Sequence, residues 1–480
     1  MGSVLIQKYK ALSQTFKATI WYTACNIIQK IAAFLLIPFL TRTMNTNEYG
    51  MYAVFLSWTD IIEILATLRI YSNGYVAGII KNNNDEKSYT CSTQFISLIM
   101  ILLNFSVFLL LSEPITKAIN IDRSLVYYMY LSFLATSCIG IWSSRQRVNN
   151  KYKLMVFVTV FYGVLAPAAS IVAAYIFEDK LKAVIMTRVI VQFVVAIQFM
   201  LINLIGKDAK IKIKYCKEAL VYNIPLIPYY LSMVVLNSSD RIMIKEIIGD
   251  TEAGIYSVAY SVAMAVFVLV GALNMSLQPW IFTRLKNNTI EGSSKTITIA
   301  TAIIAMINTG VLIVSPEIIR IAASPEYADA IWTMPPIIIS LLVMFIYQQI
   351  LNIHFYFGNN KIVFLSSVFA AMVNVILNYF CVTYFGYIAA GYTTLVSYML
   401  IAVLYYITMK RIAVKNCVNY KEIINMPALL GIVIAFICIT AVAMILFSYP
   451  IIRYLLLLLI FSGAFVGRKR LFKFVKNLKV

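Results

Sequence analysis

Apolar runs of about twenty residues alternate with short polar segments along the whole chain. A helix needs ~20 apolar residues to cross the ~30 Å hydrocarbon layer of a bilayer, and the Gly, Pro, Asn and charged residues between the runs mark turns. The pattern predicts an all-α integral membrane protein with about fourteen transmembrane helices. The predicted ranges are 18–41, 51–78, 93–112, 125–143, 154–177, 183–205, 219–248, 254–282, 296–315, 328–357, 361–383, 389–409, 427–448 and 451–467.

Composition supports membrane insertion, and the distribution of charge predicts the orientation of the chain in the membrane. Of 480 residues, 61% are hydrophobic and 12% are charged, which is more apolar than a soluble domain of this length. The net charge of +20 reflects topology rather than nucleic-acid binding, because 28 Lys and Arg fall on the side of the termini, eight on the other side and four within spans. We therefore expect both termini in the cytoplasm.

A repeated motif divides the chain. Glu-x-Gly-x-Tyr-x-Val occurs at 48–54 and again at 252–258, each time at an outer turn that opens an even-numbered helix. The two halves thus have the same orientation, an arrangement found in transporters. We predict two six-helix bundles related by a parallel pseudo-two-fold, at 1–206 and 207–412, with two further helices and a basic tail at 413–480.

Several classes of chemistry are disfavoured. No loop exceeds about fifteen residues, so we expect no enzymatic domain. Seven cysteines without C-x-x-C spacing and a lone histidine, His354, predict neither disulfides, a metal centre nor a cofactor. His354 fits a structural hydrogen-bonding role better than a titrating one.

Short motifs add a family resemblance. The sequence Ser-Asp-Arg-Ile-Met-Ile at 239–244 and Gly-Tyr-Ile-Ala-Ala-Gly at 386–391 resemble the polysaccharide-synthesis branch of the multidrug/oligosaccharidyl-lipid/polysaccharide exporter superfamily. The first of these is followed by further residues of the pattern, namely Gly249, Glu252, Gly254, Tyr256 and Ala259. The resemblance implies a flippase that carries undecaprenyl-diphosphate-linked oligosaccharide across the bacterial cytoplasmic membrane.

Charged residues within spans are the candidate functional groups, because each is costly in hydrocarbon. Lys30 in the first helix and Asp60 and Glu63 in the second lie at similar depths near the midplane, and the i, i+3 spacing puts the two acids on one helix face. Lys30 is predicted to attract the substrate diphosphate, with the acids holding it or taking a coupling Na⁺ or H⁺. The alternative is a buried ion pair that only neutralises itself.

The seventh helix combines charge with proline. Asp240 and Arg241 either lock the two halves or contact substrate, and Pro225 and Pro228 bend the helix, as a gating element requires. Arg69, near the inner end of the second helix, either extends to headgroups or receives the diphosphate.

Arg188, close to the start of the sixth helix, is expected to extend outward to the headgroups.

These features together predict a non-enzymatic flippase that works by alternating access. Its partners would be the lipid-linked oligosaccharide, membrane lipids and polysaccharide-assembly proteins. Two alternatives stay open: a cation-coupled multidrug exporter of the same superfamily, and a membrane glycosyltransferase or polymerase. The sequence does not distinguish O-antigen from capsule or another glycan.

Overall fold

The computed structural model describes residues 14–149, 151–206 and 209–466, and this part of the chain is helical throughout, without strands. Lys8, Lys10 and the basic run at 468–479 lie outside the described residues. The helices are α1 (Gln14–Thr43), α2 (Thr46–Thr67), α3 (Asn73–Lys81), α4 (Glu86–Leu110), α5 (Ser112–Ile119), α6 (Arg123–Val148), α7 (Tyr152–Ile176), α8 (Lys180–Leu204), α9 (Ile213–Asn223), α10 (Ile227–Ile247), α11 (Asp250–Lys286), α12 (Ser293–Ile313), α13 (Ser315–Ala322), α14 (Met334–Tyr356), α15 (Asn360–Phe385), α16 (Ala389–Lys415), α17 (Tyr420–Ile423), α18 (Met426–Ile445) and α19 (Pro450–Val466).

Twelve segments in the described part are long and apolar enough to cross a membrane. They correspond to twelve of the fourteen predicted spans, and helices α1 and α19 occupy the positions of the other two. The chain is thus a multi-pass membrane protein, while the count of fourteen spans stays a prediction.

The chain forms two compact units, Met1–Val234 and Val235–Val480. The division falls within α10, and the last two helices belong by their contacts to the second unit, where α18 and α19 both pack on α12. In the first unit, α6 packs along α8 and α1 along α7.

Two predicted continuous helices are interrupted. The helix predicted at 51–78 ends at Thr67, where Leu68 and Arg69 adopt left-handed backbone angles (φ 51° and 45°) before α3 begins. The helix predicted at 219–248 is divided by a 3₁₀ turn at Ile224–Leu226, since Pro225 has no amide hydrogen to continue the α-helical pattern.

Short amphipathic helices repeat in the two units. Helix α5 follows the third long helix of the first unit, and α13 follows the third long helix of the second. Both begin with Ser, followed by one Pro and one Glu in either order, then Ile, and carry a basic residue at the sixth position. The sequences are Ser-Glu-Pro-Ile-Thr-Lys-Ala-Ile and Ser-Pro-Glu-Ile-Ile-Arg-Ile-Ala. This second match, at nearly the same spacing as the Glu-x-Gly-x-Tyr-x-Val motif, supports the internal repeat.

A buried ion pair attaches the last helix to the second unit. Arg453 of α19, 3% exposed, donates from two nitrogens to the carboxylate of Glu317 in α13, at 2.7 and 2.8 Å. Arg453 also donates to the carbonyl of Ile313 at 2.6 Å, and the Tyr454 hydroxyl donates to Glu317 at 2.9 Å. The arginine therefore lies in a preformed set of acceptors.

Candidate functional site

Lys30 and Asp60 lie on adjacent helices at matched depth. Lys30 is 13 residues before the end of α1 and Asp60 is 14 residues after the start of α2, which puts both ~20 Å from the turn joining the helices at 1.5 Å per residue. Both side chains are exposed in the structure. An exposed lysine and an exposed acid at this depth fit the predicted candidate site, and their roles stay predictions.

Glu63 differs from Asp60 although the two share a helix face. Its carboxylate is 8% exposed and accepts a 2.5 Å hydrogen bond from the Tyr71 hydroxyl. The two acids that the sequence puts on one helix face are therefore one exposed carboxylate and one buried carboxylate that already has a donor.

Arg69 lies in the break between α2 and α3, rather than inside a helix. Its guanidinium carbon is 5.5 Å from the centre of the Tyr230 ring, and Tyr230 is in turn within hydrogen-bonding distance of Ser72 and Asn73. The arginine is half-buried. The structure thus places Arg69 against an aromatic ring, where a planar cation is stabilised by the ring face.

Arg188 does not extend outward as expected. Its Nη1 donates to the hydroxyl of Tyr52 at 2.8 Å, and Asp60 is near enough to attract it electrostatically. Tyr52, 4% exposed, is the tyrosine of the first Glu-x-Gly-x-Tyr-x-Val motif. The guanidinium thus has a hydrogen-bond partner inside the protein, which removes the need to reach the headgroups.

Asp240 is the centre of a buried polar cluster in the second unit. The carboxylate, 1% exposed, accepts hydrogen bonds from Tyr256 at 2.6 Å, Asn378 at 2.6 Å and Thr394 at 2.8 Å. These donors come from α11, α15 and α16. Asn378 also accepts from Thr393, so the amide that contacts the acid is itself held in place.

Arg241 has a different neighbour from Asp240. Its guanidinium carbon is 4.3 Å from the centre of the Tyr260 ring, and its side chain is half-buried. The two adjacent charges are thus directed to separate sets of partners within the second unit. Pro225 lies in the 3₁₀ turn before α10 and Pro228 in the first turn of α10, and both are exposed.

His354 is fully buried on α14. Its Nε2 lies 3.0 Å from the carbonyl oxygen of Tyr405, so this nitrogen carries the hydrogen and donates it. The contact places His354 in the structural role favoured by the sequence.

The repeated tyrosine contacts a charged group in both units, and the charges have opposite sign. Tyr52 binds the cation Arg188 of α8, whereas Tyr256 binds the anion Asp240, together with Thr394 of α16. Helices α8 and α16 are each the sixth long helix of their unit. Sequence reasoning found the motif but not its partners; the same position of the tyrosine in both copies of the motif was the available signal.

This architecture is shared with solved membrane transporters. The chain is similar to the lipid II flippase MurJ in an inward closed conformation, with a TM-score of 0.72 at 14% identity over 94% of this chain and 100% of that chain. It is also similar to an inward-facing multidrug resistance MATE family transporter of the MOP superfamily, with a TM-score of 0.63 at 13% identity over 80% of this chain and 94% of that chain. The fold is therefore that of the MATE and MurJ transporters.

Residues 15–284 match the family described as polysaccharide biosynthesis protein, and the chain belongs to this family. It is 21% identical over 375 residues to Lsg locus putative protein 1 of Haemophilus influenzae, covering 75% of this chain and 90% of that protein. The resemblance to the polysaccharide-synthesis branch of the exporter superfamily is thereby confirmed.

Proposed function

We propose that this protein is a flippase that moves undecaprenyl-diphosphate-linked oligosaccharide repeat units from the inner to the outer leaflet of a bacterial cytoplasmic membrane. Membership in a polysaccharide biosynthesis family supports the substrate class. The proposed mechanism depends on Lys30, which is exposed and lies ~20 Å from the α1–α2 turn. At that depth a charged side chain is costly in hydrocarbon, so Lys30 requires a polar surrounding or partner. A diphosphate requires such a cation on its route across the bilayer.

The test is a substitution of Lys30. Lys30→Ala should reduce flipping of lipid-linked oligosaccharide in proteoliposomes at least ~10-fold, since a charge-assisted contact contributes ~1.5–3 kcal/mol. Lys30→Arg should retain most activity, and Lys182→Ala, which removes an exposed lysine at the edge of α8, should leave it unchanged. Normal flipping by Lys30→Ala protein present at the wild-type level would rule out this role.

Asp240 is the residue we propose for energy coupling. It is an anion surrounded by oxygen- and amide-bearing side chains from three helices, an environment that suits Na⁺ or H⁺ uptake during alternating access. Asp240→Asn should remove the response of flipping to an imposed Na⁺ or pH gradient. A variant that responds to both gradients as the wild type does would exclude Asp240 from coupling.

A second function is favoured by the shared MATE fold, namely cation-coupled drug export. The two functions separate in one comparison, because a drug exporter should lower drug accumulation in cells without supporting surface polysaccharide. We expect this protein to support surface polysaccharide and to leave drug accumulation unchanged. Polymerised glycan from purified protein and lipid-linked repeat units would instead indicate the polymerase alternative.

A further inference from the structure

A polar cavity of ≈ 90 Å³ lies within the first unit, apart from Lys30 and Asp60. It is enclosed by α1, α6 and α7 at the end where α6 finishes and α7 begins. Its lining includes Tyr22, Gln29, Arg147, Thr159 and Tyr162 and no acidic residue. The volume accommodates several water molecules or one small polar group.

The cation at this cavity has no counter-ion among the described residues. Within the ranges that the structure describes, the Arg147 side chain forms no ion pair or hydrogen bond, whereas Arg145, two residues earlier, pairs with Glu86. Arg147 lies within electrostatic range of the Tyr22 and Tyr162 hydroxyls. A guanidinium beside hydroxyl donors is the arrangement that binds phosphate oxygens.

The polar groups of the wall are weakly bonded. Gln29 donates to the Thr159 carbonyl and the Tyr162 hydroxyl, each at 3.4 Å, and Tyr22 donates to the Gln146 carbonyl at 3.4 Å. These distances exceed the usual ~2.9 Å of an N–H···O bond and ~2.8 Å of an O–H···O bond, so the donors can turn toward a ligand at little cost.

Helix α7 presents two different faces at this place. Thr159 and Tyr162 line the cavity, while Leu154, Phe157 and Phe161 are 52–66% exposed on the other face. In a membrane protein these exposed side chains meet acyl chains. A ligand with a phosphate for the cavity and hydrocarbon for the adjoining face would satisfy both surfaces.

We propose that this cavity is a binding site for the phosphate group of a lipid, with Arg147 as its main phosphate contact. The site lies at the end of the unit that the charge distribution assigns to the cytoplasm. The proposal does not depend on the proposed flippase function, because a transporter of any substrate can hold such a lipid.

Binding of dihexanoyl phosphatidic acid to purified protein in a neutral maltoside detergent tests the proposal. Arg147→Gln should weaken binding at least ~10-fold, as expected for loss of a charge-assisted contact. Tyr162→Phe, which removes only a hydroxyl at the cavity wall, should weaken it several-fold. The matched control Lys153→Gln removes another exposed cation at the same end, outside the cavity lining, and should leave binding unchanged.

Two further ligands distinguish the sources of phosphate. Dihexanoylglycerol should not bind, and sodium phosphate should bind more weakly than the lipid, with the same dependence on Arg147. Equal weakening by Lys153→Gln and Arg147→Gln, or binding of phosphatidic acid that neither Arg147→Gln nor Tyr162→Phe reduces, would overturn the proposal. Lys30→Ala should leave phosphatidic acid binding intact. The flipping assay of Lys30→Ala and the binding assay of Arg147→Gln therefore test the two proposals independently.

Discussion

At the scale of single residues, Tyr52 and Tyr256 occupy the same motif position but bind charges of opposite sign. The difference arises from the partner each unit supplies, a guanidinium on α8 in one and a carboxylate on α10 in the other. A phenol hydroxyl can serve both, because it accepts from a cation and donates to an anion. The repeated tyrosine is thus compatible with a cationic cluster in the first unit and an anionic cluster in the second.

Tyr256→Phe should lower the free energy of unfolding by ~1–3 kcal/mol, since it removes one of three donors to a buried carboxylate. Thermal unfolding of the purified protein followed by circular dichroism measures the change. The matched control is Tyr384→Phe, which alters a hydroxyl on a side chain that is 76% exposed and should change little. Equal stability of Tyr256→Phe and wild type would show that the hydroxyl is dispensable.

The candidate site was predictable from sequence only as far as residue type and depth. Lys30 and Asp60 could be placed by counting residues along helices; both are exposed in the structure, and their roles stay predictions. The contact between Tyr52 and Arg188 spans 136 residues and depends on the direction of both side chains, which apolar periodicity does not report. The donor to buried Glu63 is Tyr71, which lies in a turn where the sequence pattern predicts a helix.

At the scale of elements, helix continuity was the main error of the sequence-based prediction. Leu68 and Arg69 interrupt an apolar run without a Gly or Pro to mark the break, yet the chain turns there and α3 then packs closely on neighbouring helices. Glycine makes this approach feasible: a Cβ built on Gly74 would lie 2.3 Å from Asn223, and one on Gly78 would lie 1.8 Å from the Tyr89 hydroxyl. The spans themselves were predictable because apolar length is a direct physical requirement.

Gly78→Ala should destabilise the protein by ~1–3 kcal/mol, because the added methyl group overlaps the Tyr89 ring and forces it to move. Gly431→Ala is the matched control, since that position lies in a long apolar helix with nothing within 4 Å of the added carbon. Alanine there should be neutral or slightly stabilising. Thermal unfolding of both variants under the same detergent conditions compares them. Equal melting temperatures would contradict the close approach at α3.

The attachment of α19 should depend on pH. Burial by itself raises the pKa of Glu317, but hydrogen bonds from Arg453, the backbone and Tyr454 outweigh it and hold the pKa below the usual value. A carboxyl whose pKa is lowered by folding contributes stability at pH values above its unfolded-state pKa. That contribution is lost as the pH falls through the folded-state pKa.

Arg453→Gln should therefore cost about 3 kcal/mol at neutral pH, since it leaves a partly buried carboxylate without its cation. The stability difference between Arg453→Gln and wild type should narrow as the pH falls through the lowered pKa of the wild-type Glu317 carboxyl, because both proteins then hold it protonated. Denaturant titrations at a series of pH values from neutral to well below the usual Glu pKa of about 4.3 measure this difference. Arg320→Gln, which removes an exposed arginine from the same short helix α13, should show no such convergence. If the stability difference between Arg453→Gln and wild type did not change with pH, the attachment of α19 would not depend on the ionisation of Glu317.

At the scale of the whole molecule, the repeat and the charge distribution make one joint prediction. Parallel halves require corresponding turns of the two units to lie on the same side of the membrane, and the excess of 28 Lys and Arg over eight predicts which side that is. The turn between α11 and α12 should face the cytoplasm and the turn between α7 and α8 the outside.

Single cysteines in a cysteine-free background test this orientation. Asn287 and Glu178 are both exposed, one in each of these turns. Glu178→Cys should react with a membrane-impermeant maleimide in intact spheroplasts, whereas Asn287→Cys should react only after permeabilisation. Labelling of both positions from the same side would require an even number of crossings between them, instead of the three expected from α8, α10 and α11, and would contradict the parallel repeat. Reversed labelling would keep the repeat and invert the orientation, so that the cytoplasmic assignment of the Arg147 cavity would fail while the two-unit fold would stand.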